Sequence, residues 1–196
     1  MKRKNHMLDR VINEVTGAVK AAVTGVNDIL GAITGTVKEQ VINVLEGAGD
    51  IGATVFESMA AVAKGAIRGV GDVSESLTDT AANTMSGIVG GVSQVGGDVI
   101  SGVRGGAHGI VNGVAETGGD IGTAAVAAVR GAIKATGDIG ADTAKAANAA
   151  VGGALDAATE VGGDAAGKVR QALLGAAELP HDVVEAAVKG HDKKDK

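Results

Sequence analysis

The chain has 196 residues, including 33 Gly and a single Phe, with no Trp, Tyr or Cys. Because the large side chains that fill most globular cores are nearly absent, the composition argues against a conventional compact domain. The lack of Cys excludes disulfides and thiolate metal sites, and a net charge of −5 argues against a nucleic acid partner.

The first five residues form a basic N-terminal tail that resembles the opening of a signal peptide. Asp9, Arg10 and Glu14 then stand where a signal peptide needs an unbroken apolar run. The longest charge-free run, residues 80–97, contains five Gly and several hydroxyl and amide side chains, which does not predict a transmembrane span. We therefore predict a cytoplasmic protein, free or at the periphery of a membrane.

After the tail, an Asp followed in most cases by Val or Ile recurs at intervals of 18, 22 or 26 residues. These intervals are close to whole numbers of helical turns, and together they average about 3.67 residues per turn, the period of an eleven-residue repeat. The sequence therefore predicts an acidic stripe along a helix, formed by Asp28, Asp50, Asp72, Asp98, Asp120, Asp138, Asp164 and Asp182.

Charged residues obey the same period. When residues 6–192 are numbered in blocks of eleven from Asp28, all charged side chains fall in six of the eleven positions. The other five positions form one apolar arc of roughly 130° on a helix. The best example of this arc, which we predict to be a packing face, is Val11, Ile33, Val44, Val55, Leu77, Ile88, Val99, Ile110 and Ile121.

The unbroken phase predicts an all-α protein with one long amphipathic helix over residues 6–179. Together with its continuation to residue 192, the helix would be about 280 Å long at 1.5 Å per residue. Pro180 then predicts a kinked continuation over 180–192, followed by a charged tail over 193–196. Two alternatives stay open. Tandem duplication of an eleven-residue unit also preserves phase through a bend, and the Gly-Val stretch 87–113 disfavours helix.

A helix this rich in Gly needs a partner, because 33 Gly at about 1 kcal/mol each relative to Ala cost on the order of 30 kcal/mol. The first candidate partner is another copy of the chain. An 11/3 period predicts a right-handed or nearly straight coiled coil, assembled as a scaffold, tube or filament. Close approach is favoured by GxxxG pairs such as Gly65/Gly69 and Gly105/Gly109.

The basic residues favour the same self-association. They concentrate on one flank of the predicted helix, opposite a flank of Gly, Ala, Ser and Thr. We expect this basic flank to lie over the small and acidic flank of a neighbouring helix, although a simple solvated face explains each single charge equally well. The flank comprises Lys38, Lys64, Arg68, Arg104, Arg130, Lys134 and Lys145.

The second candidate partner is a lipid surface or another apolar body along the apolar face. Residues 36–44, TVKEQVINV, and 46–51, EGAGDI, resemble the synuclein repeat region, and perilipins, phasins and late-embryogenesis-abundant proteins are similar in style. The resemblance covers about twenty residues and implies an 11/3 helix that folds on acidic membranes. One basic flank and a negative net charge depart from the synuclein pattern, so anionic lipid should attract this chain weakly.

Catalytic and ligand motifs are hard to find. The four histidines, His6, His108, His181 and His191, have no Asp or Glu at the spacing of a ligand set, and His108 is expected to be solvated. No phosphate-binding loop motif is present. The recurring aspartates are too far apart on a helix to act as paired acid and base. We predict a non-enzymatic protein with no catalytic residue, cofactor or metal.

Overall fold

The computed structural model of the protein describes residues 2–23, 29–51, 54–70 and 77–192. These residues form a succession of helices: α1 Lys2–Val23, α2 Ile29–Ile51, α3 Val55–Val70, α4 Leu77–Gln94, α5 Val99–Glu116, α6 Ile121–Asp138, α7 Thr143–Val161, α8 Ala165–Gly175 and α9 His181–Asp192. The predicted continuous helix over 6–179 is therefore wrong, although the all-α content is as expected.

The eleven-residue period survives because a helix and its turn together occupy two units. From α3 to α8, successive helices begin 22 residues apart, at residues 55, 77, 99, 121, 143 and 165. Each 18-residue helix, such as α5, is followed by a four-residue turn, and the next helix resumes in the same phase. Tandem duplication through bends, rather than a straight helix, explains the pattern.

The turns between α4 and α7 are built from a Gly with positive φ and an Asp two residues later. Gly96 has φ +69° and donates to the Ser93 carbonyl, while Gly97 donates to the Val92 carbonyl at 2.9 Å. This is the Schellman ending of a helix. Asp98 then starts α5, since its carboxylate accepts the N–H groups of Ile100 and Ser101. The same arrangement follows 22 and 44 residues later.

The helices stack in two layers. Each helix packs most extensively against the helix two places away in the chain, so α1, α3, α5, α7 and α9 form an odd layer and α2, α4, α6 and α8 an even layer. Consecutive helices pack across the two layers. This is a helical-repeat architecture, in which each unit buries its apolar face against its neighbours.

Glycine lets neighbouring helices of one layer approach closely. A Cβ added at Gly65 of α3 would lie 2.7 Å from the Ile12 carbonyl oxygen of α1, and one at Gly109 of α5 would collide with the Ala60 carbonyl of α3. The helix penalty of Gly is thus offset by helix–helix contact within a single chain, without a second copy or a lipid surface.

The predictions of a coiled-coil scaffold and of a lipid-coating helix are both wrong for the same reason. The apolar arc, which either function requires on the outside of a single long helix, lies between the layers as one core. None of the helices within the described residues is long and apolar enough to cross a membrane.

Candidate functional site

The predicted apolar face lies within the core. Val11, Ile33, Ile88, Ile110 and Ile121 are buried there. The other four members are partly buried and pack against the same cluster: Val44, Val55, Leu77 and Val99. The face therefore contributes to stability rather than to an exposed site.

The recurring aspartates lie at helix ends rather than in one stripe. Asp98 and Asp120 cap α5 and α6 through their carboxylates, whereas Asp164 precedes α8 without a side-chain capping bond. Asp138 ends α6, and Asp182 lies in the first turn of α9. Asp50 belongs to the last turn of α2, while Asp28 and Asp72 lie outside the described residues.

Most of the predicted basic flank is paired within the chain. Lys64 and Arg68 of α3 bind Glu116 at the end of α5, and Arg130 of α6 lies 3.5 Å from Glu178. The remaining members pair with near neighbours or lie against a helix: Lys134 with Asp138, Lys145 with Asp142, Arg104 with Asp156, and Lys38 beside Gly90. Pairing across neighbouring helices, anticipated between copies, thus occurs between layer neighbours of one chain.

The outer surface of the odd layer shows a groove above α7. Because α3, α5 and α7 begin 44 residues apart, their tenth residues occupy equivalent places: Lys64, His108 and Gly152. A Cβ added at Gly152 would meet no heavy atom within 4 Å. Where α3 and α5 carry a long side chain, α7 therefore leaves open space.

This space, here called the α7 groove, has a volume of about 500 Å³. Its floor is α7, one wall is α5 and the other is α9. The floor and the α9 wall are mostly small side chains, while Arg104, Lys145 and His191 supply positive or titratable groups. The full lining is Ile100, Ser101, Arg104, Lys145, Asn148, Ala149, Gly152, Ala186, Ala187, Gly190 and His191.

A titratable cluster continues the groove toward the end of α7. Asp156 accepts from Arg104 Nη2 at 2.6 Å, and its other oxygen lies 2.9 Å from His191 Nε2. One turn further, Glu160 lies 3.0 Å from His108 Nε2. This second cavity of about 480 Å³ adjoins the α7 groove, with which it shares Ser101, Arg104 and His191.

Both histidines are largely enclosed, with side chains 12% exposed for His108 and 9% for His191. The Phe56 ring meets the His108 ring edge-on, with ring centroids 5.3 Å apart. This placement differs from the solvated His108 expected from the sequence. It joins α3, α5 and α7 at one point of the surface.

Electrostatics within the cluster favour ionised acids. Burial raises the pKa of Asp156, but the hydrogen bonds from Arg104 and His191 together lower it by a larger amount. The pKa of Asp156 therefore lies below its ordinary value. Glu116 follows the same rule: burial raises its pKa, and the bonds from Lys64 and Arg68 lower it more. The outer face of the odd layer is therefore a row of charge pairs rather than a field of one sign.

The hydroxyl groups beside the histidines are already engaged. Ser101 Oγ donates to Asp98 at 2.7 Å, and Thr159 Oγ1 donates to the Leu155 carbonyl at 2.9 Å. A histidine activates a hydroxyl nucleophile by accepting its hydrogen bond, and both of these hydroxyls donate to other groups. Within the described residues, no group of three or more His, Asp and Glu is arranged to hold a metal ion.

A larger concavity, of about 710 Å³, lies on the even layer between α6 and α8. Its rim mixes Lys168 with Asp120 and Glu178, and part of its wall is the irregular connection after α8. Because part of this wall is irregular, the concavity is less regular than the α7 groove, whose floor and walls are three helices. The α7 groove is the better-defined site.

Sequence reasoning missed Gly152, His108, Asp156, Glu160 and His191 as site residues. A 44-residue comparison would identify Gly152, because it aligns Gly152 with the long side chains of Lys64 in α3 and His108 in α5. That comparison requires knowing that every second helix lies in the same layer. The eleven-residue numbering alone does not show which helices belong to the same layer.

Comparisons with known proteins bear on the fold alone. No protein-family model matches the chain, and none of the curated proteins matches it. Among solved structures, it is similar to the de novo designed helical repeat protein DHR7, with a TM-score of 0.50 and 16% sequence identity over 95% of each chain. The chain thus has the fold of a helical-repeat protein.

Proposed function

We propose that this chain is a non-enzymatic helical-repeat scaffold that binds a partner protein in the α7 groove. The observation that carries the proposal is Gly152, which opens a groove where α3 and α5 fill the equivalent place with Lys64 and His108. Layered helical repeats present extended surfaces of this kind to other proteins. A cytoplasmic location, expected from the sequence, belongs to the same proposal.

Two features support binding over catalysis, and two more support a protein partner. The bases Arg104, His108 and His191 are each bound to a carboxylate, and the nearby hydroxyls of Ser101 and Thr159 donate elsewhere. A net charge of −5 supports a protein partner over a nucleic acid. The small floor residues also allow close approach of a partner backbone.

The experiment is a matched pair of groove substitutions. Gly152→Lys places in α7 the side chain that α3 carries, and Gly17→Lys adds the same side chain to α1, where a Cβ also meets nothing within 4 Å. A photo-crosslinking amino acid at Asn148 is introduced into the wild type and both variants in the source cells, and cross-linked partners are identified by mass spectrometry. We expect one partner to cross-link to the wild type and Gly17→Lys but not to Gly152→Lys. Equal cross-linking in all three would overturn the proposal.

A further inference from the structure

The α7 groove is lined by small residues, which suits it to bind one helix at close range. The residues that line it from α7 and α9 include Ala149, Gly152, Ala187 and Gly190. Close packing of the same kind occurs within the chain, where Gly153 of α7 lies against the Arg104 carbonyl of α5. Small residues allow two helix axes to approach to about 8 Å, the short end of the usual packing range.

Charge is distributed unevenly along the outer face of α7. At the first turn of α7, Lys145 lines the groove, whereas Arg104 lines it further along, beside Gly153 and Asp156. None of the described lining residues of the groove is acidic. At the last turn, Glu160 lines the adjoining cavity and is 63% exposed. The two ends, Lys145 and Glu160, lie about 22 Å apart along α7 at 1.5 Å per residue.

Existing pairs leave these end charges able to meet a ligand. Lys145 is 74% exposed and lies 3.4 Å from Asp142, and an exposed pair of this kind is weak. Glu160 lies at the rim beside His108 and Asn112. Arg104 binds Asp156 through Nε and Nη2, and its guanidinium carries further N–H donors.

We propose, on the basis of the function proposed above, that the occupant of the α7 groove is a single amphipathic α-helix of a partner protein. The helix has about 16 residues, with Gly, Ala or Ser on the contact face. An acidic residue near one end meets Lys145, and a basic residue near the other end meets Glu160. Recognition of this kind places an amphipathic helix in a groove and fixes its direction by charge.

The probe is a labelled 16-residue synthetic helix with an Ala contact face, a Glu near its first turn and a Lys near its last. Its twin exchanges the Glu and the Lys. Fluorescence anisotropy with the full chain is expected to show binding of the first peptide at least tenfold tighter than of the twin. In the double variant Lys145→Glu, Glu160→Lys the preference should reverse, because both groove ends change sign while Arg104 and its Asp156 bond stay in place.

Each other outcome has a defined meaning. If the two peptides bind equally and Gly152→Lys abolishes both, the charge-directed helix is overturned while the groove remains a binding site. If neither peptide binds saturably, the helical occupant is overturned, and the cross-linking experiment decides separately whether the groove binds a protein at all. If sedimentation shows a dimer that Gly152→Lys dissociates, the occupant is a second copy and the proposal is also wrong.

Discussion

The middle of the chain and its C-terminal end use the same building unit differently. From α4 to α7 the helices have 18 or 19 residues, and the turns that join them contain a Gly at positive φ and a capping Asp. At the C-terminal end α8 has only 11 residues, Asp164 makes no side-chain capping bond, and Pro180 precedes α9. The middle therefore repeats, and the end departs from the repeat.

This difference explains the position of the α7 groove. Regular units cover one another and leave an outer face of charge pairs, as between α3 and α5. At the end, α7 presents Gly152, and α9 forms a second wall instead of a further repeat. Repetition builds the framework, and the break in the repeat builds the groove.

The largest expected effect is on close packing in the middle. Gly109→Ala should destabilise the chain by about 2–3 kcal/mol, because the new Cβ collides with the Ala60 backbone and the α3–α5 contact must open. Gly35→Ala, where a Cβ meets nothing within 4 Å, should stabilise it by up to about 1 kcal/mol. Urea unfolding measures both, and changes of the same sign would contradict the layered packing.

The turns should be the next most sensitive features. Gly140→Ala forces a Cβ into a backbone with φ +71° and should cost about 1–2 kcal/mol. Gly137→Ala, in the last turn of α6, meets only an ordinary contact at 3.5 Å and should be neutral or stabilising. Thermal unfolding of the two variants compares them directly, and indistinguishable midpoints would refute the turn assignment.

The N-terminal caps of α6 and α8 should contribute differently to the free energy of unfolding. Asp120→Ala should cost about 1 kcal/mol, because the carboxylate accepts the N–H groups of Gly122 and Thr123. Asp164→Ala should cost no more than a few tenths, since Asp164 makes no such bond. Denaturant titration measures the difference, and an equal loss in both would mean that the two units do not differ at this position.

The smallest effect is the dependence of the caps on pH. Hydrogen bonds from Thr123 lower the pKa of Asp120 below its ordinary value of 3.8, and those from Ser101 do the same for Asp98. A lowered folded pKa means that this stabilisation is complete above about pH 4 and is lost as the pH falls through the folded pKa. Asp120→Asn keeps the cap but does not titrate, so its unfolding midpoint should fall less between pH 5 and pH 3 than that of the wild type. A parallel fall would contradict this.

The sequence contained the repeat, the phase of its apolar residues and the all-helical content. It did not distinguish a straight helix from a folded one, because two eleven-residue units equal one helix plus its turn. The Gly-Gly-Asp segments at 96–98 and 118–120 do predict turns, because Gly is typical of the end of one helix and Asp of the start of the next helix. The α7 groove was beyond the sequence, because it depends on which helices are neighbours.

Small-angle X-ray scattering tests most directly the claim that the chain folds back on itself in two layers. A compact chain of 196 residues should have a radius of gyration of about 16–20 Å, slightly extended by the stacking of the helices. A single helix of about 280 Å would give a rod-like profile with a radius of gyration of roughly 80 Å. The first result is the one that the layered structure predicts, and the second would contradict it.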